Sequence, residues 1–269
     1  MIKEYFSYLI NSHNLHGVHS PFVFEFNEKV LNIRPEKEAL KEVNAYRNFL
    51  RGNVQKLIVD DYGSGSQKLK SRERSVNEIY KTASTNTRMG EILYQLIRFY
   101  DCRNILEIGT CLGIGTAYMQ KAVSEFTDAK ITTLEGSHSL LEFTKNNLKD
   151  FTDISKVNFI EGNFDDTLPE ILSHIPRIDL AFVDGNHTYA ATLNYFNLLK
   201  NKIHNESIII FDDIYWNTDM KKAWTEIKLH PTVSCSIDLF RWGIIFFRKE
   251  MEKEDFTLRF NGFLQAHIG

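Results

Sequence analysis

Cysteine is scarce in this 269-residue chain: Cys102, Cys111 and Cys235 are too few and too scattered for a disulfide framework or a CxxC-type zinc site. They read as reduced thiols. Long apolar runs are also missing, since the longest, Ile208 to Phe211 and Gly243 to Phe247, fall far below the ~20 residues that span a bilayer. No membrane partner is expected. The opening MIKEYFSYLINSHN has charged and polar residues breaking every apolar stretch, so it lacks the continuous core of a signal peptide and a cytoplasmic location is expected. A large excess of either charge is absent too. With 32 Lys and Arg against 35 Asp and Glu, the formal net charge is -3, and no basic excess advertises a phosphate-neutralising face. Nucleic acid is therefore not an expected partner. What remains is an ordinary globular composition, 43% hydrophobic and 25% charged, with room for one α/β domain and a shorter appended segment.

Two regions differ in pattern. Residues 1–83 carry aromatic and aliphatic residues at helical spacing (Tyr5, Phe6, Tyr8, Leu9; then Val43, Tyr46, Leu50) and read as a mostly helical extension or lid. A polar GSGS stretch at Gly63 to Ser66, followed by Lys68, Lys70, Arg72 and Arg74, suggests a loop whose basic residues are solvated or attract an anionic substrate. The histidines of HGVHSPF, His16 and His19, stand beside Gly17 and Pro21, which argues against a metal site. Residues 84–269 form the second region. After a helix from Met89 to Tyr100, short β-branched runs alternate with helical ones: strands at Ile105 to Ile108, Lys130 to Leu134, Val157 to Ile160, Asp179 to Val183 and Ser207 to Phe211, the mark of βαβ units on a parallel sheet. A helix at Thr218 to Lys228 then precedes two strands, Val233 to Phe240 and Gly243 to Arg248. No internal repeat is visible.

The richest segment is ILEIGTCLGIGTAYM from Ile105, an apolar strand entering a glycine-rich turn and then a helix. Ligands of doubly wound sheets bind at the carboxyl ends of the strands, where glycines let backbone approach closely. Spacing separates the cofactors. A dinucleotide loop has glycines at i, i+2 and i+5, whereas Gly109, Gly113 and Gly115 stand at i, i+4 and i+6. The longer loop suits a ligand without a pyrophosphate, such as S-adenosylmethionine (SAM). Glu107 would reach its ammonium, directly or through water, with Cys111 and Thr116 of the same loop among the cofactor contacts. An acid closing the next strand is what a ribose diol requires, and Glu135 meets that requirement, with Gly136 leaving room for adenosine. Asn163 and Phe164 are placed for the adenine edge and face. A solvated strand-end Glu135 is the plainer alternative.

Taken in order, ILEIGTCLGIGT, TLEGS, EGNFDDTLPEI, FVDGNH and IIFDD resemble class I SAM-dependent methyltransferases, most closely the small-molecule O-methyltransferase branch that includes catechol and caffeoyl-CoA enzymes. The resemblance covers about residues 84 to 249, and STNTRMGEIL resembles the segment that passes over the SAM methionine end. It implies a Rossmann-like, doubly wound seven-stranded α/β sheet of order 3-2-1-4-5-7-6 with the last strand antiparallel. It implies SAM as cofactor and methyl transfer to a small-molecule hydroxyl, phenol-like or catechol-like.

Two acidic clusters end adjacent strands, Asp184 in FVDGNHTY and the pair Asp212, Asp213 in IIFDDIYW. Neighbouring strands lie about 4.8 Å apart, so these carboxylates should converge, and a hard cation such as Mg²⁺ would fit among them. The resemblance assigns the same three positions to metal ligands, with Asp213 where the catechol branch commonly has Asn. His187 stands where that branch places its base, commonly Lys, three residues after the first metal aspartate. A histidine there could take a hydroxyl proton near neutral pH, or merely orient a neighbour or cap the following helix. Asp184 is counted with it in the reacting centre, and Trp216 is a candidate wall for a flat substrate.

Other readings stay open. The glycine spacing argues against an NAD-dependent oxidoreductase, and neither an NPPY-type tetrapeptide nor a Pro-Cys nucleophile is present. A tRNA or RNA hydroxyl as acceptor, or SAM binding without catalysis, remain alternatives. A homodimer is compatible with the chain, although nothing in the sequence signals an oligomeric state.

Overall fold

The computed structural model describes residues 2–13, 19–60 and 72–259. The GSGS stretch with Lys68 and Lys70, and His16, lie outside the described residues. In chain order the elements are α1 (Ile2–Asn11), α2 (Pro21–Phe26), α3 (Lys41–Gly52), β1 (Lys56–Ile58), β2 (Glu73–Ser75), α4 (Val76–Ala83), α5 (Thr87–Phe99), β3 (Asn104–Ile108), α6 (Ile114–Ala122), β4 (Lys130–Glu135), α7 (His138–Leu148), β5 (Val157–Glu161), α8 (Phe164–His174), β6 (Ile178–Val183), α9 (Tyr189–Leu199), β7 (Ile203–Phe211), α10 (Thr218–Leu229), β8 (Cys235–Asp238), β9 (Gly243–Phe246) and β10 (Glu254–Thr257).

The sheet order is β5-β4-β3-β6-β7-β9-β8-β10, which is the doubly wound order expected, plus one further strand. All pairs from β5 to β7 are parallel, and β9 runs antiparallel between β7 and β8. The eighth strand corrects the count of seven: β10 pairs parallel with β8, from Glu254 opposite Cys235 to Thr257 opposite Asp238. Central position explains composition. Every residue of β6 is buried, as a strand covered by helices on both faces must be, whereas β5 at the edge is only partly buried. Three helices, α5, α8 and α10, begin at asparagine caps that satisfy otherwise orphaned N–H groups: Asn86 accepts from the Met89 amide at 3.0 Å, Asn163 from Asp165 at 3.1 Å and Asn217 from Met220 at 2.8 Å.

The N-terminal region is helical with one exception, the antiparallel pair β1–β2, in which Leu57 lies opposite Arg74. Arg74 therefore belongs to a strand and not to the loop assigned from its basic character. This region packs on the sheet within the same buried cluster as the βα core. Phe22 meets Phe246 of β9 edge-on at 4.9 Å, and Tyr5 and Tyr8 of α1 meet Phe240 at 5.1 and 5.4 Å. His13 bridges to Leu258, just past β10, so the two ends of the described chain close on each other.

Candidate active site

The cofactor turn leaves β3 at Ile108, and its first glycine has a positive φ of 104°. A Cβ there would lie 2.1 Å from the Asp184 carbonyl oxygen, so only glycine lets the turn cross the end of β6. Gly115 is constrained by a different neighbour. Its missing side chain makes room for the Glu107 carboxylate, whose Oε1 would stand 2.5 Å from a Cβ. Gly113 begins α6 in a left-handed conformation.

Glu107 is 1% exposed, and its Oε2 accepts hydrogen bonds from the hydroxyls of Thr116 (2.5 Å) and Thr133 (2.7 Å). Burial pushes its carboxyl up to about 7; the two threonine donors oppose that rise, and the charge of Glu135 adds to it. Glu135, 8% exposed at the end of β4, accepts the Cys111 amide on Oε2 (2.8 Å) and the Ser137 amide on Oε1 (2.9 Å). One carboxylate thus ties the glycine turn to the neighbouring strand end. Cys111 takes a φ of 48°, and its carbonyl accepts from Thr144 at 2.8 Å. Gly136 follows directly. The carboxamide oxygen of Asn163 is taken up by the α8 cap, and the Phe164 ring lies over Gly185, edge-on to Tyr195 at 6.3 Å.

Ala83, Ser84 and Thr85 cover this turn. The cleft between them, Glu107, Gly109 and Gly115 is narrow, about 10 Å³, room for one water. Ser84 Oγ is buried there with no hydrogen-bond partner.

Asp184, Asp212 and Asp213 do meet at one sheet edge. Main-chain bonds set the register, Asp184 N–H to Ile108 carbonyl and Asp212 N–H to Val183 carbonyl, both 2.9 Å. A residue outside the sequence reading joins them. Arg241, in the turn between β8 and β9, donates from Nε to Asp212 Oδ1 at 3.1 Å and from Nη2 to Oδ2 at 3.4 Å, and its Nε lies 3.5 Å from Asp213 Oδ1. The guanidinium holds the 2%-exposed Asp212 below the ordinary carboxylate range against its own burial. Burial and the two neighbouring aspartates drive Asp184 the other way, well above it. His187 Nε2 lies 3.6 Å from Asp184 Oδ1; its Nδ1 is buried without a partner, and its carbonyl accepts from Asn217.

As arranged, these carboxylates do not fit a divalent cation. The arginine already occupies both oxygens of Asp212, and among the described residues no group of three His, Cys, Asp or Glu side chains is disposed to hold a metal. The ligand set expected for Mg²⁺ is instead an ion-paired cluster. Tyr46, expected only on a helix face, also reaches the site: from α3 its hydroxyl donates to the Leu112 carbonyl at 2.8 Å, so the N-terminal region braces the cofactor turn.

Residues 106–214 match a family model described as a methyltransferase domain. Among curated proteins the chain is 30% identical over 129 residues to the uncharacterized protein R132 of Acanthamoeba polyphaga mimivirus, a match spanning 45% of this chain and 58% of that protein's length. Three solved structures share the fold at low identity. The SAH-bound methyltransferase PaMTH1 of Podospora anserina is 18% identical, with a TM-score of 0.55 over 85% of this chain and 94% of its own. An O-methyltransferase from Bacillus cereus in complex with SAH is 19% identical, and TomG from Streptomyces achromogenes in complex with SAM is 18% identical; both have TM-scores of 0.54 and cover 80% of this chain and 92% of theirs. The matched segment runs from β3 to just past β7, and the fold is the one these SAM- and SAH-bound structures share. No helix among the described residues is long and apolar enough to cross a membrane.

Proposed function

We propose that this chain transfers a methyl group from SAM to a hydroxyl of a small molecule, phenol-like or catechol-like. The observation that carries the reading is the pair of buried acids on adjacent strand ends, Glu107 beneath the glycine turn and Glu135 beside it. The two are suited to an ammonium and a ribose diol respectively. The unpartnered Ser84 Oγ beside Glu107 adds a third polar group aimed at an amino-acid end. When bound, SAM supplies an electrophilic methyl on its sulfonium, so the chain's task is mainly alignment and exclusion of water. Asn163 and Phe164 are the candidates to border the adenine. At the acceptor end His187, beside Asp184, is the group suited to take the hydroxyl proton on Nε2. Arg241 balances the acidic cluster and holds Asp212 in place, so an acceptor hydroxyl meets a site with a fixed internal cation. That the structural relatives include O-methyltransferases agrees with oxygen as the acceptor atom.

Isothermal calorimetry with SAM, followed by methyl-transfer screening of catechols and other phenols with and without Mg²⁺, tests the reading. SAM binding with turnover of at least one phenolic acceptor is expected. Binding of NAD in place of SAM would overturn it, and so would SAM left intact across the acceptor panel.

A further inference from the structure

A second cavity adjoins the segment that covers the cofactor turn. It encloses about 540 Å³, within the range of small-molecule sites, and shares Ser84 with the cofactor cleft. Its lining includes Arg34, Arg47, Arg51, Lys81 and Arg88, together with the Tyr80 ring. Glu91 pairs with Arg88 at 3.0 Å and lies 3.6 Å from Arg34. Among the described residues Arg47, Arg51 and Lys81 form no ion pair. Arg47 is the informative one, because it is 8% exposed. Its Nη1 donates to the Thr85 carbonyl at 2.8 Å and its guanidinium lies 5.4 Å over the Tyr80 ring, with Arg51 5.9 Å from the same ring. Those contacts orient the charge without neutralising it, and a buried cation lacking a counter-charge is costly. Thr87 and Arg88, the first residues of α5, bring a helix N-terminus to the same cavity and add to the positive field.

We propose that this cavity binds the phosphoryl end of a phosphorylated small molecule, between a sugar phosphate and a nucleotide in size. The three charges of Arg47, Arg51 and Lys81, which form no ion pair among the described residues, favour a phosphoryl group, with two or more negative charges and several acceptor oxygens, over a single carboxylate. The ligand's cavity shares Ser84 with the cofactor cleft, and Arg47, fixed to the Thr85 carbonyl, joins it to the covering segment.

Calorimetric titration of the full chain with sodium pyrophosphate, at constant ionic strength and without SAM, tests the site independently of the methyl-transfer reading. One pyrophosphate per chain should bind. The substitutions R51Q and K81Q together, both at exposed side chains, should weaken that binding by about tenfold or more, with the melting temperature retained. The R47Q variant should weaken it as well. Malonate, a dicarboxylate of comparable span, should bind less tightly than pyrophosphate. Absence of pyrophosphate binding to the unaltered chain, equal binding by the R51Q/K81Q protein, or malonate binding at least as tightly would each overturn the proposal.

Discussion

Glu107 should make the stability of the unliganded protein fall as pH rises, and the structure sets the size of the effect. Its carboxyl titrates near its ordinary value of 4.5 in the unfolded chain and is pushed up to about 7 in the folded one. The folded state therefore keeps a proton that the unfolded state has already released. Stability from this group is present in full below about pH 4.5 and is lost as pH climbs through about 7, a total of about 3 kcal/mol. Urea denaturation of the unaltered chain and of Glu107→Gln at pH 5 and 8 isolates it, because every other titrating group is common to both. The glutamine keeps an oxygen for Thr116 and Thr133 and has no proton to lose. Between those pH values the variant should gain about 2–3 kcal/mol relative to the unaltered chain. Ligand binding gives a second readout. At pH 7 about half the Glu107 side chains are protonated, and an ammonium beside them favours the carboxylate, so SAM binding should release up to about half a proton, seen as buffer-dependent heat. Parallel pH–stability curves for the two proteins would refute the burial argument, whatever SAM does.

Three further outcomes follow from contacts around the site. Gly109→Ala places a Cβ 2.1 Å from a main-chain oxygen at a positive φ, and should lower unfolding stability by about 3 kcal/mol or more in denaturant titration. Glu135→Ala removes the acceptor for the Cys111 and Ser137 amides as well as the proposed ribose partner; SAM affinity measured by calorimetry should drop by about 10- to 100-fold, and unchanged affinity would dismiss that role. Arg241→Met leaves Asp212 buried without its cation and should cost about 3–5 kcal/mol in unfolding stability. In the unaltered chain, EDTA should change the proposed methyl-transfer turnover by less than about twofold because the guanidinium fills the cation's place; a strict requirement for Mg²⁺ would contradict the arrangement.

Much of the fold was legible because its signals are local. Central strands such as β6 are uninterrupted apolar runs and α7, α8 and α9 start at Ser, Asn and Thr, which marks the alternation of strands and helices, while the strand order was implied by the resemblance to class I SAM-dependent methyltransferases. β7 begins four residues earlier than its apolar run, since Ile203 to Glu206 is only partly buried and reads as polar. β8 is shorter than drawn, ending before the turn in which Phe240 takes a φ of 68°. β10, with the sequence EDFT, has too little β-branched character to be seen, and it is a strand because β8 offers it an edge. Within the site, Glu107, Glu135 and the aspartates announce themselves by ending strands. Tyr46 does not, because a tyrosine on an amphipathic helix looks like core until the distant carbonyl it reaches is known.

Arg241 is the instructive case, because topology could have located it where composition could not. In a sheet whose penultimate pair is antiparallel, β9 starts where β7 ends: Gly243 is the partner of Phe211, the residue before Asp212. The turn entering β9 is thereby carried to the edge where Asp184, Asp212 and Asp213 gather, and any side chain on it must either solvate or join them. An apolar residue there would leave Asp212 buried and uncompensated, so that the cluster would need an external cation or an additional proton. Arginine, with a planar fork able to engage both carboxylate oxygens, meets the need from within the chain. Counting the acids on β6 and β7 alone makes a metal site seem called for; counting the turn that the antiparallel strand delivers to the same edge removes that need, and the chelator experiment bears on this distinction.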